Sequence, residues 1–366
     1  MASSENNSTE DNKSTAKESS NDNQKSFFFG LPKNKAFNYI ILIVTLILFI
    51  IIIAAVIVLI VVIVKNNKNK TNSNLNCRYG SQNNECIKCG LEGKSLKIVG
   101  GEQAEGNSWP SLALIWFDYK FDIDDQTYSY STNVCGGTLI NQDTILTAAH
   151  CFMTSVRVTE TDGLMVELNR YHSTFESMYT IYLGAYDKTK LQNTTKMKVK
   201  SFILHPNYND SNYLNDIAII KLAQKVNVNQ QVQIACVPNN SRIDYPNENV
   251  KAYIAGWGAN DTDGTIYPDI LKQAVITIYN SSMCKDVLND LNKNWDKQIC
   301  AGKYEGGVDS CQGDSGGPLY VKDQIDSSSR YVIAGVTSFG DKCGIKGKPG
   351  IYVRVSAYLD WIGKYW

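Results

Sequence analysis

The longest apolar run of the chain lies near its N-terminus. Residues 39–64 contain no charged side chain, and nearly all of them are Ile, Val, Leu, Ala or Phe. As a helix this run would be about 39 Å long, against roughly 30 Å for the hydrocarbon core of a bilayer. A signal peptide or a buried core helix gives a similar pattern, but a signal peptide has a shorter apolar region and no long polar segment before it. We therefore predict a membrane-spanning helix at residues 39–64.

The segments on both sides of this helix are polar. Residues 1–38 are rich in Ser, Asn, Glu and Lys, which bury too little surface to offset chain entropy, so this segment is predicted to be a disordered tail. Residues 65–97 are predicted to form a short stem that contains three cysteines. Lysines flank both ends of the apolar run, so charge alone does not set its orientation.

From residue 98 to residue 366 the pattern changes to many short apolar runs separated by Gly, Asn, Asp and Pro. Such runs are typical of an all-β sandwich or barrel. The end of the chain differs, because Tyr358, Leu359 and Ile362 recur at helical spacing. Ser356 is the predicted N-cap of this helix. The clearest apolar runs are residues 138–145, 179–183, 217–222, 253–255, 332–336 and 351–355.

Charge and cysteine content narrow the possible classes of protein. The formal net charge is zero, and a nucleic-acid-binding protein usually has a basic excess, so no nucleic-acid partner is expected. All ten cysteines follow the predicted span, and disulfides persist in oxidising compartments. We therefore expect a single-pass type II protein of the cell membrane, with a cytoplasmic tail and an extracellular C-terminal region. Triplets suitable for glycosylation begin at Asn69, Asn193, Asn209, Asn239, Asn260 and Asn280.

A candidate nucleophile lies between glycines, in the segment 313–317 of sequence Gly-Asp-Ser-Gly-Gly. Glycines allow the tight turn that exposes Ser315 and lets a substrate carbonyl approach the backbone. Successive backbone N–H groups at such a turn can stabilise an oxyanion. The motif alone is weak, because a serine needs a general base to become a nucleophile.

His150 is the best candidate base among the three histidines, because small residues precede it and a cysteine follows it. His172 lies in a polar stretch, and His205 precedes a proline and is typical of a turn. Asp216 opens an apolar run, so its carboxylate is expected to be buried, where a histidine N–H would satisfy it. A hydrogen-bonded structural histidine is the alternative for any one of these residues.

Five segments together resemble the trypsin-like (chymotrypsin-fold, S1-type) serine proteases, and the layout of the chain resembles their type II transmembrane branch. The resemblance extends from residue 98 to residue 366. It implies two six-stranded Greek-key β-barrels with the catalytic cleft between them and a C-terminal helix. The segments are residues 98–101, 147–151, 216–218, 256–258 and 309–318.

The resemblance assigns a role to each candidate residue. Ser315 would be the nucleophile, His150 the general base and then acid, and Asp216 the group that orients His150. Backbone N–H groups of Gly313 and Ser315 would form the oxyanion hole. Asp309 would lie at the base of the specificity pocket, which implies cleavage of proteins or peptides after Arg or Lys. The remaining substrate positions are Ser310, Ser338, Phe339 in place of the usual Trp, Gly340 and Gly350.

Activation is implied by the same resemblance. Cleavage of the bond between Lys97 and Ile98, by another protease or by a second copy, would convert a zymogen into the enzyme. The new ammonium group of Ile98 would then pair with Asp314. Asn133 stands where many relatives have a histidine that holds this aspartate in the zymogen. No metal or other cofactor is implied.

The resemblance also implies how the cysteines pair, although Cys86 could replace Cys89 in the bond between stem and protease domain. The implied pairs are Cys135–Cys151, Cys284–Cys300, Cys311–Cys343, Cys89–Cys236 and Cys77–Cys86.

Two regions are longer than in a minimal family member, residues 116–133 and 152–182, and both are expected as loops at the rim of the cleft. The first contains four acidic residues, which form either a solvated loop or a surface that favours basic substrates. A catalytically silent relative that serves as a binding or adhesion module is the alternative function. The acidic residues are Asp118, Asp122, Asp124 and Asp125.

Overall fold

The computed structural model describes residues 35–71, 77–91, 93, 101–123, 126–152, 156–159, 165–168 and 175–366. The chain divides into two compact units, Met1–Ser73 and Asn74–Trp366. The predicted tail up to residue 34, the bond between Lys97 and Ile98, and His172 lie outside the described residues.

The first unit contains one long helix, α1 (Lys35–Thr71). Its segment Phe37–Val62 is long and apolar enough to cross a membrane. The apolar side chains of this segment are exposed, as expected for a helix whose solvent is lipid rather than protein. The helix begins before residue 39 and ends after residue 64, because backbone hydrogen bonding continues beyond the apolar run.

The stem forms a small hairpin on the surface of the second unit. Strands β1 (Ser81–Gln82) and β2 (Glu85–Cys86) are antiparallel, and the Cys77–Cys86 disulfide closes the hairpin. The Cys89–Cys236 disulfide then joins the stem to the body of the domain. The stem is therefore a covalently attached part of this unit.

Non-covalent contacts hold the stem as well. The guanidinium of Arg78 lies over the rings of Tyr79 and Trp366, 5.6 and 5.7 Å from their centroids. The same group donates hydrogen bonds to Asn239 Oδ1 at 3.0 Å and to the carbonyl of Pro238 at 3.1 Å. The indole N–H of Trp366 donates to the Arg78 carbonyl, so the stem and the C-terminus of the chain are packed together.

The first barrel is closed, with strand order β10-β11-β6-β5-β4-β9. β4, β5 and β6 are consecutive neighbours and β9 returns beside β4, which is the Greek-key arrangement. The short strand β3 (Glu102–Gln103) precedes this barrel and pairs with the second one. The strands that follow are β4 (Leu112–Ile123), β5 (Gln126–Asn141), β6 (Thr144–Thr147), β7 (Val156–Thr159), β8 (Met165–Leu168), β9 (Tyr179–Leu183), β10 (Thr195–Leu204) and β11 (Ala218–Leu222).

The two long regions expected as loops contain regular structure. β4 and β5 continue beyond the barrel as a two-stranded ribbon, paired from Trp116↔Asn133 to Ile123↔Gln126. Alternation along this ribbon puts Asp118 and Ser131 on one face and the aromatic pair Tyr119 and Tyr130 on the other. In the second region, β7 pairs with β8 in a separate hairpin.

The second barrel is built on the same plan as the first. Its strands lie in the order β12-β15-β16-β17-β14-β13, and pairing of β12 with β13 closes the ring, while β3 adds to the outer edge of β13. β15 returns beside β12, so this barrel is also a Greek key. The strands are β12 (Lys251–Gly256), β13 (Lys272–Tyr279), β14 (Gln298–Gly302), β15 (Pro318–Ile325), β16 (Ser328–Phe339) and β17 (Gly350–Arg354).

The chain ends in a short helical segment, as its apolar spacing predicts. The four-residue helix α2 (Leu359–Ile362) lies between two single 3₁₀ turns. The predicted N-cap was wrong. Ser356 is buried in the preceding 3₁₀ turn, and its hydroxyl donates to the carbonyls of Arg242 and Tyr245. The side chain of Ser356 therefore binds a distant loop and does not cap α2.

An aromatic cluster forms part of the core of the first barrel. The ring of Phe152 stacks on Phe202 with centroids 4.2 Å apart, and Tyr179 meets Phe152 edge-on at 5.5 Å. Phe175, from a 3₁₀ turn before β9, contacts Tyr179 at 5.1 Å. These rings lie directly behind the loop that carries His150, so they fix the position of that loop from inside.

Replacing Phe152 by alanine removes a fully buried ring, and we expect the free energy of unfolding to fall by about 3–5 kcal/mol. For a domain of this size, thermal unfolding of the full-length protein in detergent should then have a Tm lower by at least about 6 °C. Ile266→Ala is the control, because that side chain is 63% exposed, and should change Tm by no more than about 2 °C. Equal Tm values for the two variants would show that Phe152 is not part of the core.

Candidate active site

Three side chains singled out by the sequence come to one cleft from both barrels. His150 lies in a 3₁₀ turn after β6, and Asp216 lies two residues before β11, both in the first barrel. Ser315 lies in the turn that precedes β15 of the second barrel. His150 and Ser315 line the same cavity, whose volume is about 240 Å³.

Asp216 contacts His150 at two points, the imidazole ring and the backbone N–H. Its Oδ2 lies 2.7 Å from Nδ1 of the ring, and its Oδ1 accepts the backbone N–H of His150 at 2.9 Å. Asp216 is fully buried, so this carboxylate has no water to compete with the ring. Burial alone would lower the pKa of His150, but the charge of Asp216 and the hydrogen bond to it raise that pKa above its usual value. The arrangement favours a proton on Nδ1, which leaves Nε2 as the ring nitrogen that can accept a proton.

A third donor completes the environment of Asp216. The hydroxyl of Ser338, at the end of β16, donates to Asp216 Oδ2 at 2.5 Å. Ser338 was expected only as a substrate-binding position. Because 122 residues separate the two side chains, no local pattern in the sequence indicates this contact.

The backbone around Ser315 is fixed by both barrels. Gly136 of β5 donates its N–H to the Ser315 carbonyl at 2.8 Å, and Gly316 donates to Thr337 of β16 at 2.9 Å. Gly313 and Gly316 have φ of 94° and 74°, a conformation that disfavours side chains. A Cβ at Gly316 would in addition collide with Thr147 Oγ1. A residue with a side chain at Gly313 or Gly316 would therefore strain the backbone.

The backbone N–H groups of Gly313 and Ser315 are unpaired within the described part of the chain. Neither group donates a hydrogen bond to any acceptor among the described residues. Backbone N–H groups inside proteins are almost always paired, so two unpaired donors on one turn indicate a place for an external acceptor. The Ser315 hydroxyl makes no hydrogen bond to a described side chain, and such contacts often tighten only when substrate binds.

Asp309 lies in the same cavity as His150 and Ser315. Its carboxylate accepts the backbone N–H of Ser310 at 2.9 Å and that of Gly344 at 3.4 Å. Burial raises the pKa of Asp309 to about 7, because neither backbone bond fully replaces water. The other predicted substrate-binding residues that line this cavity are Ser310, Ser338, Phe339, Gly340 and Gly350.

Asp314, next to the candidate nucleophile, points away from Ser315 into the second barrel. Its carboxylate accepts the N–H groups of Gly258 at 2.8 Å and Cys311 at 3.0 Å. Burial raises the pKa of Asp314 to about 6. The carboxylate lies so close to Gly256 and Gly258 that a Cβ at either position would collide with it. The Gly-Trp-Gly segment is therefore shaped to receive this side chain.

The cysteines near His150 do not form a metal site. Ligand atoms of Cys135, His150 and Cys151 lie within 4.8 Å of one another, but the two sulfurs form a disulfide and offer no thiolate. The five disulfides are the pairs that the resemblance implies, Cys77–Cys86, Cys89–Cys236, Cys135–Cys151, Cys284–Cys300 and Cys311–Cys343.

The pairing with Asp216 predicts how His150 titrates. Because the folded pKa of His150 is raised, its charge stabilises the fold fully below about pH 6.5, and this stabilisation is lost as the pH rises through the folded pKa. An NMR titration of labelled histidines should place His150 above 6.5 and His205 below it, because burial and two lysines lower the pKa of His205. Asp216→Asn should move His150 below 6.5; an unchanged value would exclude Asp216 as the cause.

Comparison with known families agrees with this geometry. A family model described as Trypsin matches residues 98–362. The match includes His150, Asp216 and Ser315, and it extends over both six-stranded barrels. A match over well over half of the chain, on the fold that the family has, identifies this chain as a member of the trypsin family, a trypsin-like serine protease of the chymotrypsin fold.

Proposed function

We propose that this protein is a membrane-anchored serine endopeptidase, made as a zymogen, that cleaves after Arg or Lys. The observation that carries the proposal is the buried Asp216–His150 pair, which lies in one cleft with Ser315 and Asp309. A base, a nucleophile and an anionic pocket in one cavity of about 240 Å³ are what peptide hydrolysis at basic residues requires.

In the proposed reaction, His150 Nε2 removes the hydroxyl proton of Ser315 while Ser315 Oγ attacks the carbonyl carbon of the substrate. The oxyanion that forms accepts hydrogen bonds from the N–H groups of Gly313 and Ser315, each worth about 3–4 kcal/mol in the transition state. Protonated His150 then transfers its proton to the leaving amine, and water hydrolyses the acyl-enzyme by the same steps. Asp216 stabilises the imidazolium and keeps the ring in the required tautomer.

Specificity for a cation follows from Asp309. Its pKa of about 7 leaves the carboxylate partly protonated in the empty pocket, and an arriving guanidinium or ammonium favours the charged form. The hydroxyl of Ser310, which lies 2.9 Å from Tyr352 Oη, provides a second polar contact at the same depth. A basic side chain therefore gains an ion pair and a hydrogen bond in this pocket.

Asp309→Ser should lower kcat/KM for peptides with Arg before the cleaved bond by about 10²–10⁴-fold, since leaving a buried charge unpaired costs roughly 3–5 kcal/mol. The matched control is Asp341→Ser, which removes a nearby carboxylate that is paired with Lys348 outside the pocket. That variant should stay within about threefold of the wild type. Equal losses in the two variants would contradict the pocket assignment.

Activation is proposed to occur by entry of the Ile98 ammonium beside Asp314. A cavity of about 400 Å³ adjoins the Asp314 carboxylate, and Gly101 is one of its lining residues. Ile98 is three residues before Gly101, so its ammonium is within about 10 Å of chain from that cavity. No ammonium group pairs with Asp314 among the described residues. A new partner would therefore stabilise this buried charge.

Lys97→Gln should leave the full-length protein inactive after treatment with immobilised trypsin, whereas the wild type should gain at least about 100-fold in activity on an Arg amide. This difference corresponds to the roughly 3–5 kcal/mol lost when a buried ion pair lacks one partner. Ser315→Ala is the control, because it should be cut at Lys97 yet remain inactive. Full activity of uncut Lys97→Gln would rule out activation at this bond.

Membrane anchoring is supported by α1, whose apolar side chains are exposed over Phe37–Val62. The five disulfides of the second unit favour an oxidising compartment for the protease domain. Together these features support a single-pass type II orientation, with proteins or peptides outside the cell as substrates.

A further inference from the structure

A separate cavity of about 420 Å³ adjoins the turn that carries Ser315. Gly313 lines this cavity, whereas Gln312 and Ser315 line the cavity that contains Asp309, and the two cavities share no lining residue. The turn from Gln312 to Ser315 therefore separates them. The other residues around the separate cavity are Trp116, Ser131, Thr132, Asn133, Val134, Lys188 and Tyr267.

The direction in which a substrate lies in the cleft indicates which of its residues reach this cavity. In the proposed function, the residues up to the cleaved bond occupy the cavity with Asp309 and the segment 338–340. The carbonyl of that bond must reach the N–H of Gly313, so the chain after the bond leaves past this glycine. It then meets the cavity that Gly313 lines. Side chains of the leaving segment are therefore its natural occupants.

Lys188 determines what kind of side chain this cavity favours. Lys188 is a half-buried residue whose ammonium lies 5.9 Å from the centre of the Tyr267 ring and forms no ion pair with a described residue. Burial lowers the pKa of Lys188, against the opposing charges of Asp269 and Asp314. By contrast, Lys221 pairs with Asp143 at 2.6 Å. A partly desolvated cation without a close counter-ion gains from an arriving carboxylate.

Another charge near the wall of this cavity is Asp118, on the ribbon formed by β4 and β5. Its Oδ1 already accepts hydrogen bonds from Trp116 Nε1 at 3.2 Å and from Ser131 Oγ at 2.5 Å. Asp118 does not line the cavity, whereas Trp116 and Ser131 do. Among the residues that line the cavity, Lys188 is the charged one, so its cation is the charge that a ligand there meets directly.

We propose that this cavity binds an acidic side chain, Asp or Glu, within the first three residues after the cleaved bond, and that Lys188 selects it. The inference rests on the proposed function, since it concerns the same substrate. Together, Asp309 and Lys188 would define substrates with a basic residue before the bond and an acidic residue shortly after it.

The test uses the full-length protein in detergent, cut after Lys97, with quenched-fluorescence peptides that have Arg before the bond. Glu, Gln or Lys is placed in turn at each of the three following positions, and an Arg–aminocoumarin amide, which has no residue after the bond, reports the underlying activity. For wild type we expect kcat/KM to be roughly two- to fivefold higher with Glu than with Gln at one position, the upper part of the range for a solvent-accessible ion pair.

Variants test whether Lys188 causes this preference. The ratio of kcat/KM with Glu to kcat/KM with Gln is taken within each variant, so changes in overall activity cancel. Lys188→Gln should bring the Glu/Gln ratio to about one, and Lys188→Glu should reverse it in favour of Lys. Lys196→Gln, on an exposed position of β10 outside the cavity, should keep the wild-type ratio.

Each other outcome counts against the inference. A ratio near one at all three positions, with the Arg amide cleaved, would overturn the acidic preference and leave the proposed function intact. A preference that persists in Lys188→Gln would overturn the role of Lys188, and a preference for Lys in wild type would assign the cavity to Asp118. Failure to cleave the Arg amide would reject the proposed function and this inference with it.

Discussion

The buried carboxylate of Asp216 is the constraint on which the cleft depends. It has no contact with water and accepts three hydrogen bonds, two from His150 and one from Ser338. Its donors come from both barrels, so the carboxylate ties the barrels together at the point where the cleft forms. Removing one donor would leave part of a buried charge unsatisfied, which is costly. The orientation of the His150 ring and the junction of the two barrels therefore depend on the same carboxylate.

The turn that carries Ser315 depends on the same junction. Its backbone is bonded to Gly136 in the first barrel and to Thr337 in the second. These bonds hold the turn in a conformation that only the glycines on either side of Ser315 adopt without strain. The N–H groups of Gly313 and Ser315 are left unpaired as a result. Such a turn fits the proposed oxyanion hole, because rigid unpaired donors need little reorganisation when charge develops on a substrate oxygen.

The sequence predicted those features that depend on residues close together in the chain. The run at residues 179–183 coincides with β9, because strand residues buried in a barrel read as short apolar runs between turn residues. The glycines around Ser315 are also a local signal. Contacts made across the fold were not predictable: Ser338 reaches Asp216, and Ser356 binds carbonyls of a distant loop instead of capping a helix. The half-buried environment of Lys188 likewise exists only after folding.

The two disulfides of the stem determine which backbone cuts can separate the second unit from α1. A cut anywhere between Cys89 and the barrels leaves the barrels covalently joined to the stem, because Cys236 still holds Cys89. Separation of the barrels from α1 requires a backbone cut that neither disulfide bridges, either before Cys77 or between Cys86 and Cys89. A cut before Cys77 would leave the hairpin on the released unit, with Arg78 still over the ring of Trp366, whereas a cut between Cys86 and Cys89 would leave the hairpin attached only by non-covalent contacts. In both cases the two barrels and the cleft between them would keep their covalent structure.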